Sequence, residues 1–503
     1  MSVPERRETR SRTLPALAFV ALALLAIWWL SPAALPDNGH IGLYSLLPAL
    51  VTVVVAFILR DVLVALFLGI AVGGAVSGQW NLLDAYILPA IGDRSYALIL
   101  VVYLWALGGL LGLWTRTGGA QAFATWAGSK IVRGRRSARF FAWLLGILFH
   151  QGGTISTILA GTTVRPVTDA QNVSHEELTY VIDSTASPAA TVIPFNAWPL
   201  YVAGLLTGTI AIFPTEAAVV SFFFQSIIFN FYGIFAILFT LLFALGLLPW
   251  VGKRMRAAQV RSRETGELNR PEAQPLTADE LTEMRISPGY RPGIEDFLVP
   301  MLVLIGVAMG SFFLIGSVWI AEAFGLALLT AILMALIKGM ALGDAMDGFV
   351  DGCKGVTIGA IILGLAVTLG QVSGALGTAE YIVEVTTGFV PAASLPAILM
   401  LICMVVAFSI GSSWGTYAVV FPIAMPLAFA LSQDPIYLHI CFGAVLGGAV
   451  FGDQCSPISD TTILSSLACG ADVMDHVLTQ IPLALAAAGL AAAVSTLAAV
   501  VVL

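Results

Sequence analysis

Phe451-Gly452-Asp453-Gln454-Cys455-Ser456-Pro457-Ile458-Ser459-Asp460-Thr461-Thr462 sets two acids, four hydroxyls and a proline inside an apolar run from 436 to 468. Proline has no backbone N–H, so it interrupts the helical ladder and frees a carbonyl. In hydrocarbon that carbonyl must find another partner, and such breaks survive only where protein buries them or a cavity receives them. A carboxylate at the bilayer centre costs on the order of 2.5–3.5 kcal/mol on insertion scales, so an idle acid there is rare. No Lys or Arg follows Lys354, which leaves Asp453 and Asp460 without a nearby-in-sequence cation. They must hold a proton, hold a metal cation, or meet a basic group of the first half such as Arg165. Burial raises a carboxylate's pKa and a bound cation lowers it again, so one site can hold either H+ or Na+.

Moving outward, the whole chain has the same setting. Of its 503 residues, 58% are hydrophobic and 11% charged, with mean hydropathy +0.94. A soluble chain carries about 25% charged residues. Apolar runs of membrane-crossing length recur near 14–30, 43–59, 62–78, 97–114, 140–172, 178–212, 217–249, 297–316, 318–337, 355–373, 391–430, 436–468 and 477–503. The fold class expected is an all-α polytopic membrane protein. Net charge is −7 and no basic stripe is present, which speaks against nucleic acid as a partner. The five cysteines form no CxxC pair and read as small buried residues. Arg6, Arg7, Arg10 and Arg12 precede the first apolar run, read as a retained first helix within 1–40.

One polar stretch, 251–296, holds eight Lys/Arg and divides the chain into halves spanning 41–250 and 297–503. The halves read as copies. Asp84 matches Asp344, Gly118 matches Gly377, Pro166 matches Pro426, and Ser187-Pro188 matches Ser456-Pro457, in fixed order and at nearly constant offset. The N-terminal arginines, the 130–139 basic cluster and the linker are expected on the cytoplasmic side of the cell (inner) membrane. The mate of that basic cluster, 389–399, holds no basic residue. Corresponding loops then lie on opposite sides, the mark of an inverted repeat in a secondary transporter.

Four polar interruptions are where chemistry is expected. Gly153, Thr154 and Thr157 lie in a hairpin at 140–172. Asp183, Ser184, Thr185, Ser187 and Asn196 lie in a broken helix at 178–212. Ser412, Ser413, Trp414 and Thr416 lie in a second hairpin at 391–430. These twelve are the expected solute-binding residues. Asp453, Ser456, Ser459, Asp460 and Thr461, in a second broken helix at 436–468, are the expected Na+ ligands. Carboxylate, hydroxyl and carbonyl oxygens are the donors hard cations take, a rule for calcium and magnesium extended here to sodium. No cofactor is expected; Na+ is transported or coupling ion.

Competing readings attach to several residues. Asp84, Asp344, Asp347 and Asp351 lie near loop ends and read as solvated. His150 reads equally as a proton relay or a hydrogen-bonded structural histidine. Trp198, Trp414 and the Phe-rich 222–242 stretch read most simply as packing. Gly411-Ser412-Ser413-Trp414-Gly415 fits G-x-S-x-G, yet that motif needs a strand-to-helix turn with a catalytic histidine and acid. An intramembrane hydrolase using Ser413 is therefore a minor alternative, and a passive channel a weaker one. His175-Glu176-Glu177 begins like H-E-x-x-H without a second histidine, so no zinc protease follows.

Gly411, Trp414, Gly415 and Thr416, followed by Phe421-Pro422-Ile423-Ala424, resemble the NhaC-type sodium/proton antiporter family. So do the run from Phe451 to Ser466, Arg165-Pro166-Val167-Thr168-Asp169, and Val181 through Pro188. The resemblance implies inverted repeats, two re-entrant hairpins, two discontinuous helices, and homodimers with an elevator-like motion. It also implies Na+/H+ antiport, with a Na+-coupled symporter or exchanger of a small organic solute as the alternative. The sequence departs from the family pattern where Gly152-Gly153 replaces paired aspartates and Gln454 replaces histidine.

Overall fold

The computed structural model describes residues 40–503 except 60–61, 93–95, 98–99, 151–152, 197, 276–285, 316–318, 379–380, 382–383, 385–390 and 458. The expected first helix at 14–30 and Gly152 lie outside the described residues. Among the described residues all regular structure is helical.

The first half contains α1 (Leu47–Leu59), α2 (Val62–Ser77), α3 (Leu100–Thr117), α4 (Gly119–Ile131) and α5 (Arg135–Leu148). It continues with α6 (Gly153–Asp169), α7 (His175–Val192), α8 (Trp198–Leu206), α9 (Glu216–Ser226) and α10 (Phe231–Leu245). The linker forms α11 (Lys253–Glu264). The second half runs α12 (Glu295–Ile315), α13 (Ile320–Ile337), α14 (Leu342–Ala375), α15 (Leu395–Ile410), α16 (Ser413–Leu431), α17 (Pro435–Cys455), α18 (Asp460–Cys469) and α19 (Val473–Val502). Four of these, α3, α16, α17 and α19, are individually long and apolar enough to cross a membrane. A fifth span forms if Glu216–Phe229 and α10, bent by 49°, act as one.

Short polar side chains start the helices that build the site. Ser174 accepts from the Glu177 amide and Glu177 reaches back to the Ser174 amide, a capping box that opens α7. Ser412, Asp434, Ser459 and Asp472 cap α16, α17, α18 and α19 in the same way, accepting orphan first-turn amides. Gly411, with φ +68°, ends α15 in the left-handed conformation and turns the chain into α16.

In each half a helix–turn–helix pair is followed by a longer helix, a break and a shorter helix. The pairs are α5–α6 and α15–α16; the interrupted helices are α7–α8 and α17–α18. α7 ends at Val192 and α8 begins at Trp198; α17 ends at Cys455 and α18 begins at Asp460. Ser456-Pro457 sits at its break, whereas Ser187-Pro188 lies inside α7. Pro188 still removes the helical donor of the Ser184 carbonyl without ending the helix. The linker is more ordered than a polar tether, since α11 packs against α7 and α19.

Candidate functional site

The two interrupted helices and the two helix pairs pack crosswise. α6 of the first half lies against α18 of the second, and α8 of the first against α16 of the second. At the second of these contacts Trp198 and Trp414 stack with centroids 4.0 Å apart. Tyr201 and Tyr417 meet the pair edge-on, and Tyr201 Oη donates to the Trp414 carbonyl at 2.7 Å. Trp198 begins the helix after one break and Trp414 follows the Gly411-Ser412 turn, so this stack holds two interruptions together.

Asp453 lies in the last turn of α17 and is 3% exposed. The hydroxyl of Ser413, at the start of α16, donates to its Oδ2 at 2.9 Å. The hydroxyl of Ser459, between α17 and α18, donates to its Oδ1 at 2.5 Å and lies 3.0 Å from Thr461 Oγ1. Ser456, fully buried, ends α17 and its carbonyl accepts the Ser459 amide. One carboxylate thus gathers hydroxyls from two separate interruptions. Ser413, grouped by sequence with the solute-binding residues, belongs spatially with Asp453. Its hydroxyl faces a carboxylate, and His439 instead bonds Ser226 Oγ at 2.8 Å. Asp460 opens α18, but its side chain lies outside the described set, as does that of Thr154 near the start of α6. Arg165 stands 3.6 Å from Asp169.

Gln454, the residue after Asp453, ties this site to the first half. Its Nε2 donates to Ser184 Oγ at 2.5 Å, and Tyr232 Oη donates to its Oε1 at 2.8 Å. Thr462 Oγ1 donates to the Gln454 carbonyl at 2.9 Å. Asp183, fully buried on α7, accepts at Oδ2 from His476 Nε2 and Gln480 Nε2 of α19, both at 2.9 Å. Neither partner stood out in the sequence. The signal was there: Asp475, His476, Thr479 and Gln480 make a polar stripe at helical spacing on an otherwise apolar segment.

The remaining expected residues divide by what engages them. Thr185 and Thr416 donate to backbone carbonyls of their own helical turns, and Ser412 caps α16. Asn196 closes the end of α7: its amide donates to the carbonyls of Ala190 and Ile193, and its Oδ1 accepts the Trp198 amide. Thr157 is fully buried on α6, and Gly153 opens that helix. Ser187 is buried on α7. His175, Glu176 and Glu177 serve the linker side, where Glu176 binds Arg261 and Glu177 binds Arg135 and Arg139. Asp351 pairs with Lys354, and Asp344 accepts from Ser287.

The sequence model of the Na+/H+ antiporter family matches residues 189–499, a stretch holding both aromatic partners of the stack and the whole Asp453 cluster. The chain belongs to that family. It is 30% identical over 479 residues to an uncharacterized protein of Haemophilus influenzae, covering 88% of each chain. In fold it is similar to the YdaH transporter of Alcanivorax borkumensis, with TM-score 0.54, 14% identity, and 90% and 98% of the two chains covered. It is also similar to MtrF of Neisseria gonorrhoeae, described with a class of antimetabolite efflux pumps, with TM-score 0.51, 15% identity, and 94% and 97% covered. Membership of the antiporter family makes the chain a multi-pass membrane transporter and not an enzyme.

Proposed function

We propose that the protein is a Na+/H+ antiporter that holds Na+ on Asp453 with Ser413, Ser459, Thr461 and the backbone around Ser456. The observation that carries this reading is the single buried carboxylate with a serine hydroxyl on each oxygen, one from each of two chain interruptions. Hydroxyls that turn their hydrogens away present oxygen lone pairs beside a negative charge, the donor set a hard cation needs. Asp460, an expected Na+ ligand by sequence, is the first residue of α18. The cross-packing of first-half pair on second-half interruption, and the reverse, supports an inverted repeat with the site at its centre.

In proteoliposomes, an imposed Na+ gradient is expected to move protons, followed by a pH-sensitive dye. Asp453→Asn and Asp460→Asn are each expected to abolish that movement. Full exchange by Asp453→Asn would remove the carboxylate from the mechanism.

A Na+-coupled carrier of a small organic solute has one observation of its own. A cavity of about 490 Å3 opens among Tyr96, Thr207, Gln371, Ser373, Thr378 and Pro426, a volume in the range of small-molecule pockets. Thermal stabilisation by Na+ that deepens with one metabolite, without Na+-driven proton movement, would favour this second reading. An inner-membrane location, a linker on the cytoplasmic side and homodimers go with either reading.

A further inference from the structure

Asp183, His476 and Gln480 are fully buried where α7 of the first half meets α19 of the second. Asp183 Oδ1, Ser187 Oγ, His476 Nδ1 and Gln480 Oε1 are buried atoms with no hydrogen-bond partner among the described residues. Each such atom costs about 1–3 kcal/mol when left unsatisfied. Asp183 and Ser187 stand one helical turn apart on α7, and His476 and Gln480 one turn apart on α19, so these open positions concentrate where the two helices meet.

Donor and acceptor chemistry sets the state of the imidazole. Asp183 as a carboxylate can only accept, so His476 Nε2 must carry the hydrogen it donates. Nδ1 is then the lone-pair nitrogen and the one position of the ring able to gain a proton. Gaining it makes an imidazolium whose charge Asp183 offsets at hydrogen-bond distance. The other four histidines lack this arrangement. His175 has both ring nitrogens engaged, by the Gly470 carbonyl and by Asp169. His439 bonds a serine, and His150 bonds the Ile147 carbonyl, a neutral acceptor that gives no counter-charge. His40, before α1, lies against the exposed Glu384.

We infer that His476 carries the exchanged proton, taking it at Nδ1 while Nε2 stays bonded to Asp183. This rests on the Na+/H+ reading above and gives the proton a site of its own, apart from the Asp453 carboxylate where H+ and Na+ would otherwise compete. Proton binding takes the Asp183–His476 pair from net charge −1 to zero, as Na+ does at Asp453. Exchanging one for the other conserves buried charge. The two sites share one connector: Gln480 Nε2 donates both to Asp183 and, at 2.5 Å, to the Gln454 carbonyl beside Asp453. Tyr232 of α10, Cys455 of α17 and Cys469 of α18 lie within electrostatic reach of Asp183. On the same two helices Glu176, Glu177 and Asp475 are already paired with arginines.

The test uses His476→Gln, because a glutamine amide can still donate to Asp183 yet cannot gain a proton. Three quantities are measured on the full protein: Na+-driven proton movement, exchange of labelled for unlabelled Na+, and the Na+-dependent rise in unfolding temperature as a function of pH. In the parent protein the Na+-dependent rise shrinks as pH falls, because a bound proton opposes Na+. The variant is expected to lose proton movement, keep labelled Na+ exchange, and show a rise that no longer depends on pH. Asp183→Asn, which removes the counter-charge, should share the loss of proton movement. Wild-type proton movement in His476→Gln overturns the assignment and leaves the antiport reading intact. Loss of all three responses also overturns it, since His476 would then be structural. A parent protein that moves no protons overturns both.

Discussion

Asp453 shows how one residue's surroundings turn a costly group into a useful one. Its carboxylate is buried at the end of an apolar helix, and hydroxyl donors on both oxygens offset part of the desolvation. Ser413→Ala removes one oxygen from the proposed Na+ shell and is expected to weaken Na+ binding, read from the Na+ concentration giving half of the maximal thermal stabilisation. Unchanged half-saturation would show that Ser413 does not contribute to the proposed cation site. The sequence placed Asp453, Ser456, Ser459 and Thr461 together because they lie within nine residues of each other. Ser413 was singled out but assigned to the solute, since forty residues separate it from Asp453 and only the fold joins them. His476 was not legible as a site residue because its meaning comes from Asp183, on a helix almost three hundred residues earlier.

At the level of elements, the site depends on how closely α17 can approach its neighbour. Gly448 and Gly452, four apart, face α15, and a Cβ at Gly452 would stand 2.5 Å from both Ala407 Cβ and the Phe408 amide nitrogen. Small residues at this spacing let two membrane helices touch backbone to backbone. Asp453 follows Gly452 directly, so separation of the helices moves the carboxylate relative to Ser413. Gly452→Ala is expected to destabilise by about 1–3 kcal/mol, the usual cost of overpacking. It should also blunt the Na+-dependent thermal shift. Gly489→Ala on α19, where nothing lies within 4 Å of the added carbon, is the matched control and should leave both unchanged. Equal behaviour of the two variants would mean that α17 tolerates the added methyl without moving. Interruptions were legible from proline, glycine and hydroxyl clusters, but their edges were not. Pro188 lies within α7 and the chain breaks five residues later, where Asn196 rather than proline supplies the closing hydrogen bonds.

Across the whole molecule, the polar linker fastens the two halves beside the site-bearing helices. Arg261 of α11 binds Glu176 at the start of α7, and Gln259 reaches Glu177. Asn269 then bonds the Gly470 carbonyl, and Arg270 binds Asp475 at the start of α19. The helices carrying Asp183 and His476 are thereby tied at the same end by one strap. Beside it Glu177 of α7 is fully buried and held by two arginines of α5, Arg135 at 2.9 Å and Arg139 at 2.6 Å. Removing one partner of a buried ion pair leaves an uncompensated charge and costs about 3–5 kcal/mol. An exposed pair contributes about 0–1 kcal/mol, as expected for Lys354 with Asp351. Glu177→Gln is therefore expected to lower the unfolding temperature by several degrees, followed by intrinsic tryptophan fluorescence, while Lys354→Ala leaves it nearly unchanged. The pair lies at the α5–α7 contact, away from Asp453, so the loss should appear in the presence and absence of Na+ alike. A Glu177→Gln protein that melts with the parent would show that this buried ion pair does not stabilise the fold.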